Sequence, residues 1–174
     1  MALNILPGCS SGDRQVDNNS KIRDGSKVSE GPVKLTAQLG GSHYCDTTQY
    51  LFVKATLINN TSDTFVYVCM DCSWPDSYTT DSKDFEIEKT YCFKNGPVTI
   101  KIPPHGDVNY YLSLKSKKPL NELMESEFKI GFNLIKEGAS QDVVSIVNSM
   151  TDMQHLIWSN IIEVRSVRGF LNSR

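Results

Sequence analysis

Beyond Pro32 the apolar residues recur at every second position, and that alternation constrains the fold more than any other feature of the chain. Val33, Leu35, Ala37 and Leu39 alternate with Lys34, Thr36 and Gln38. Leu51, Val53, Ala55 and Leu57 repeat the pattern around Lys54 and Thr56, and Phe128, Ile130, Phe132 and Leu134 repeat it again. Phe85 with Ile87, then Val98, Ile100 and Ile102, then Val108, Tyr110, Leu112 and Leu114 extend the series, which Trp158, Ile162 and Val164 close. Successive side chains of a strand point to opposite faces, so a period of two puts each set on one face of a β-strand. Residues 65–70 are apolar on both faces, as in a central strand. Between these stretches stand Asn59-Asn60-Thr61-Ser62-Asp63, Asn95-Gly96-Pro97 and Pro103-Pro104-His105-Gly106-Asp107. Asn and Gly accept positive φ and Pro presets φ, so these are turns rather than helix starts. About eight short strands so punctuated predict an all-β, antiparallel two-sheet sandwich. Residues 120–126 and 141–153 alone have room for a helix, and the second fits a further strand equally well.

The chain ahead of that pattern has a different composition. From Ser10 to Pro32 the only apolar side chains are Val16, Ile22 and Val28, and all 16 aromatic residues lie beyond Pro32. Such a stretch cannot bury enough surface to offset the entropy of ordering it. Residues 1–32 are therefore expected to be a disordered N-terminal tether and residues 33–174 the folded domain. Leu6-Pro7-Gly8-Cys9-Ser10 resembles the lipobox of bacterial lipoproteins, in which the cysteine is lipidated, so residues 1–8 read as a truncated signal segment and Cys9 as a lipidation site. The whole chain has 18 basic against 20 acidic residues, a net charge of −2. A nucleic-acid-coating domain usually has a pI above about 9, so no nucleic-acid partner is expected. The longest apolar run spans residues 65–70, far short of the roughly 20 residues of a bilayer-spanning helix.

With Cys9 set aside, Cys45, Cys69, Cys72 and Cys92 remain, an even number that reads as a disulfide framework in an oxidising compartment. Four cysteines allow three connectivities. If residues 69–72 stay extended, the two Cα atoms lie about 10 Å apart, beyond the roughly 7 Å limit for a bridge. Cys69 and Cys72 then pair with Cys45 and Cys92 in one order or the other. Cys72 with Cys92 is favoured, because the two flank one excursion that a bridge would staple, with Trp74 as its cover. The other readings of these cysteines are weaker. After Cys72 comes Ser73-Trp74-Pro75-Asp76-Ser77, without the helical period of a thioredoxin-like site. A four-cysteine zinc site usually shows two Cys-x-x-Cys knuckles, and one is present.

The remaining polar residues suggest little chemistry. His43, His105 and His155 form no helical metal-binding pair, and no nucleophile elbow, P-loop or dinucleotide fingerprint occurs. His43, near Cys45 and Asp46, reads as a loop histidine rather than a ligand, and His105 as a turn residue. Glu86 and Glu88 alternate with Phe85 and Ile87, the pattern of a solvated strand face. Lys115-Ser116-Lys117-Lys118 reads as a charged strand end that discourages edge pairing. Tyr50, Phe52 and Tyr111 fall on the polar side of their strands and are expected to pack beneath a loop, with a binding patch as the alternative. No catalytic residue, metal site or cofactor is assigned.

Residues 53–61, ending in Asn59-Asn60-Thr61, followed by Ile102-Pro103-Pro104-His105-Gly106, resemble immunoglobulin-like modules of bacterial envelope proteins. Cys69-Met70-Asp71-Cys72-Ser73-Trp74, Cys92-Phe93-Lys94-Asn95-Gly96-Pro97 and Ile157-Trp158-Ser159-Asn160 are similar to a group of secreted or lipid-anchored proteins of Bacteroidetes-type bacteria. The resemblance implies an immunoglobulin-like sandwich, lipid-anchored or secreted, in the periplasm or at the outer-membrane surface. It implies no activity. The expected role is a non-enzymatic envelope module that binds or supports an envelope protein or a glycan. The alternative is a peptidase-inhibitor-like module acting through residues 71–82, and a thiol redox enzyme built on Cys69 and Cys72 ranks below both.

Overall fold

A computed structural model describes residues 31–45, 48–123, 125–136, 143–153 and 155–164. In chain order these form β1 (Val33–Cys45), β2 (Thr48–Asn59), β3 (Phe65–Met70), a 3-10 turn (Trp74–Ser77), β4 (Tyr78–Thr80) and β5 (Phe85–Ile87). There follow β6 (Pro97–Ile102), β7 (Asp107–Ser116), a second 3-10 turn (Leu120–Glu122), β8 (Glu127–Phe128), β9 (Ile130–Asn133) and β10 (Ile135–Lys136). Helix α1 (Val143–Asp152), β11 (Leu156–Trp158) and β12 (Ile162–Glu163) complete the described chain. The protein is an all-β sandwich with one helix. One layer is a four-stranded sheet in the order β1-β2-β7-β5, and three smaller sheets, β10-β3-β6, β11-β9-β4 and β12-β8, oppose it. Twelve strands stand among the described residues against the eight expected. The chain around the alternating stretch from Phe128 to Leu134 is one reason, because it breaks into β8, β9 and, just beyond it, β10, which between them pair with four different neighbours, β12, β11, β4 and β3. Cys9 and the expected tether up to residue 30 lie outside the described residues.

The expected inward faces form the core. Leu35, Leu51, Val53, Leu57 and Leu114 of the large sheet are buried against Tyr67, Ile102, Phe128, Ile130 and Phe132 from the opposing layer. Each such side chain contributes about 1.5–3 kcal/mol relative to exposure. Ala37 lies opposite Ala55, and Ala55 opposite Tyr110. Two small residues in one row leave depth for the tyrosine, as close packing requires.

The motifs behind the resemblance turn out to tie the two layers together. Asn59 is fully buried, with its Nδ2 2.7–3.1 Å from the carbonyls of Asp63, Ile102 and Pro103. Its Oδ1 accepts from the Thr61 N–H and hydroxyl at 3.0 and 2.7 Å. Gly106 closes the neighbouring turn: its N–H donates to Pro103 O, and a Cβ there would stand 2.7 Å from the Pro103 ring. His105 has φ 54°, the turn conformation expected of it. Asn160 caps the β1 edge, its amide accepting from the Ala37 N–H at 2.9 Å and donating to Ala37 O at 3.0 Å. That is how a side chain can stand in for a neighbouring strand and blunt an edge.

Residues 141–153, left open between helix and strand, resolve from Val143 to Asp152 as α1. Ile146 and Met150 fall four apart and pack with Met70 and Ile135 in a small second core. Asn133, itself buried, donates to Ser149 O at 2.6 Å and anchors the helix.

Candidate functional site

The site begins where β5 ends. β5 pairs with β7 from Phe85 to Ile87, the Glu88 N–H donates to Ser113 O at 2.8 Å, and the chain then leaves the sheet as a loop over residues 88–96. A Cys72–Cys92 disulfide staples that loop to the end of β3, with Cα atoms 6.2 Å apart. Asn95 adds a second fastening: its Oδ1 accepts from the Cys72 and Ser73 N–H groups, and its Nδ2 donates to Ser73 Oγ at 2.5 Å. The Asp71 N–H donates to Gly96 O, and the Gly96 N–H to Asp71 Oδ1. The loop is therefore held at its base and free at its crest, where Tyr91 and Phe93 are 84% and 93% exposed and meet edge to face.

Between this loop and β7 lies an open groove of about 370 Å³. Trp74 and Pro75 form one wall, residues 88–91 the other, and Tyr111, Leu112 and Ser113 of β7 the remainder. Trp74 is fixed by tilted contact with Tyr110 and edge-to-face contact with Tyr78, at centroid separations of 5.0 and 5.9 Å. Tyr111, 73% exposed, carries the aromatic surface onto the outer face of the large sheet. Phe52, opposite Ser113 in register, continues it, with His43 stacked on Phe52 at 4.7 Å and beside Tyr50 at 5.3 Å. Tyr111 and Phe52 are thus not covered by a loop as the sequence suggested. Lys89 pairs with Asp76 at 3.5 Å, and Glu88 is exposed, so the groove holds both signs of charge. Aromatic rings thus share the lining with the charged Glu88 and Lys89 and the hydroxyls of Thr90 and Ser113.

The predicted cysteine sites divide. Cys72 and Cys92 form the favoured bridge. Cys69 does not pair: it is a free, buried thiol facing the core from β3, and the expected partnership with Cys45 is corrected. Tyr67, two residues before Cys69, bonds Tyr110, which aligns with Ala37 through Ala55, and Cys45 stands eight residues further along β1. At 3.3 Å per residue that is about 26 Å, far beyond bridging reach. The Cys45 side chain lies outside the described residues.

Beneath Trp74 the core holds a polar cluster. The Tyr67 and Tyr110 hydroxyls meet at 2.5 Å. Burial pushes the Cys69 thiol up to about 11, against a hydrogen bond with Tyr110 that lowers it. Burial likewise holds the phenols of Tyr67, Tyr78 and Tyr110 above the usual tyrosine value. At neutral pH the Cys69 thiol is protonated, and the thiolate is the nucleophilic form. Among the described residues no three His, Cys, Asp or Glu side chains gather to hold a metal ion.

Other expected features have structural places. In the basic run, Lys118 bonds Asp84 at 2.9 Å and Lys117 approaches Glu86 at 4.0 Å. Residues 71–82 are not a projecting loop, because Pro75, Ser77 and Tyr78 are buried and β4 pairs with β9. The exposed segment is the stapled loop 88–96, which the sequence reading passed over. Its signal was Tyr91 and Phe93 flanking Cys92 ahead of Asn95-Gly96-Pro97, apolar residues too close to a turn to belong to a strand. Comparison with known proteins finds no family model that matches the chain and no significant match among curated proteins.

Proposed function

We propose that the protein is a non-enzymatic binding module of a bacterial cell envelope, and that its ligand docks in the groove between the stapled loop and β7. The observation that carries this reading is the convergence of Trp74, Tyr91 and Tyr111 on one open groove, with Phe93 exposed beside it. Large exposed aromatics cost solubility, and several gathered in one place mark interaction surfaces. The Cys72–Cys92 bridge supports an oxidising compartment, where disulfides persist. Cys9 in a lipobox-like sequence supports a lipid tether, and the resemblance to Bacteroidetes-type secreted and lipid-anchored proteins points the same way. The ligand class is an envelope protein or a glycan, with no cofactor and no nucleic acid.

The test uses Trp74 fluorescence in a Trp158→Phe background, titrated separately with cellohexaose and with a blocked apolar peptide. Saturable change that Tyr91→Ala abolishes is the expected result. No saturable change with either probe at about millimolar concentration, a free energy near −4 kcal/mol, overturns the reading. A peptidase-inhibitor-like role is the second reading, favoured by the same stapled, exposed loop with Tyr91 at its crest. Inhibition of a protease panel that is lost in Tyr91→Ala would select it.

A further inference from the structure

β7 is paired along its length on one side and only at one end on the other. β2 covers it from Asp107 to Lys115, whereas β5 covers only Leu114 to Ser116. In an antiparallel sheet the N–H and C=O of alternate residues turn to opposite neighbours. Which residues turn which way is fixed by two bonds. Ser113 O accepts from the Glu88 N–H, so Ser113 turns toward the β5 side, and the Lys117 N–H bonds Asp84 O on that side too. Tyr111 has the same parity. Its main-chain N–H and C=O therefore point away from β2 into the groove, at the place where β5 would have continued had the chain not left the sheet at Glu88. Among the described residues neither group has a hydrogen-bond partner.

We propose that the groove takes an extended peptide, which adds to β7 as an antiparallel strand in line with β5 and exchanges main-chain hydrogen bonds with Tyr111. This rests on the binding reading above and names its ligand. The unfilled ladder position identifies the occupant's chemistry, because a donor and an acceptor on one strand residue are matched by the backbone of another strand. Main-chain bonds supply affinity in such additions, and pockets for alternate side chains supply selectivity. A peptide residue opposite Leu112 projects toward Trp74 and Pro75, and one opposite Tyr111 lies on the outer face beside the Tyr111 ring. The peptide is apolar at alternate positions and free of acidic residues, since the exposed Glu88 carboxylate borders the groove and Lys89 is already paired with Asp76.

The experiment is amide hydrogen exchange by NMR on the intact protein, alone and with a blocked heptapeptide of alternating threonine and valine around a central tyrosine. In the free protein the Tyr111 amide should exchange at least about a hundredfold faster than those of Leu112 and Leu114, which bond β2. Saturating peptide should slow it at least about tenfold, and methylation of alternate peptide nitrogens should weaken binding at least about tenfold. Five results overturn the inference. If the peptide changes Trp74 fluorescence while Tyr111 exchange is unchanged, or if the methylated peptide binds equally, the groove binds side chains without strand addition and the binding reading stands. If cellohexaose binds and the peptide does not, the ligand is a glycan and the binding reading again stands. If neither binds, both readings fail. If the Tyr111 amide is already protected in the free protein in a concentration-dependent way, a second copy fills the edge.

Discussion

Replacing both bridge cysteines, Cys72→Ser together with Cys92→Ser, removes a cross-link between residues 20 apart in sequence. The loop-closure relation gives the unfolded chain about 11 cal/mol/K for that span, or about 3 kcal/mol at 25 °C. The folded state loses little else. Asn95 still holds Cys72 and Ser73 through their N–H groups, Asp71 still bonds Gly96, and the bridge cysteines are not part of the core. The variant should therefore fold, and the loss should appear as stability. Urea denaturation followed by far-ultraviolet circular dichroism measures it. With a slope of about 1.5–2 kcal/mol/M for a domain of this size, the midpoint should fall by roughly 1.5–2 M. Reductant added to the wild-type protein should bring its midpoint to the same value. A midpoint within about 0.3 M of wild type, with the slope unchanged, would show that the bridge does not constrain the unfolded chain.

Asn59→Ala removes the Nδ2 donations to Asp63, Ile102 and Pro103 O and leaves the Thr61 N–H without its acceptor, while Pro103 O keeps the Gly106 N–H and Asp63 O the Thr61 hydroxyl; it should cost about 2–3 kcal/mol in the same urea assay. Tyr67→Phe removes one of the two hydrogen-bond partners of the Tyr110 hydroxyl, leaving Cys69, and should cost about 1 kcal/mol, with no effect on ligand binding. Cys69 is raised from 9.0 to about 11, so the unfolded chain loses its thiol proton first as pH rises. Stability from this group is complete below about pH 9 and falls as pH rises through 11, and Cys69→Ala should flatten that decline in denaturation series run from pH 8 to 11. Tyr91→Ala and Phe93→Ala remove exposed rings and should change stability by less than about 0.5 kcal/mol, while Tyr91→Ala abolishes binding in the groove.

The long strands were legible because period two is a property of the side chains alone. Leu51, Val53, Ala55 and Leu57 report their face without any knowledge of neighbours, and so do Leu112 and Leu114. The β1 bulge was not legible. The register shifts between Leu39 and Gly41, which carries the expected alternation across to the other face and brings His43 outward beside Tyr50. Two glycines give no hydrophobic signal of such a shift. Cys69 shows a different limit: a buried thiol and a bridged one look alike in sequence, and only the distance from β3 to the end of β1 separates them. The groove was hidden for a third reason. Trp74, Tyr91 and Tyr111 come from three separate stretches of chain, and they converge only because the bridge returns Cys92 to the end of β3 while β5 stops short of Tyr111. The main-chain groups of Tyr111 leave no trace in residue type at all.

Ligand binding in this groove is read residue by residue in an NMR titration of the intact protein with the heptapeptide and with cellohexaose. The expected result is that the largest shifts fall on the Trp74 indole, Tyr91, Tyr111 and Ser113, with the His43, Tyr50 and Phe52 stack less affected and α1 unmoved. Shifts centred on the exposed Val144 and Val147 of α1, or no shifts with either ligand, would contradict it.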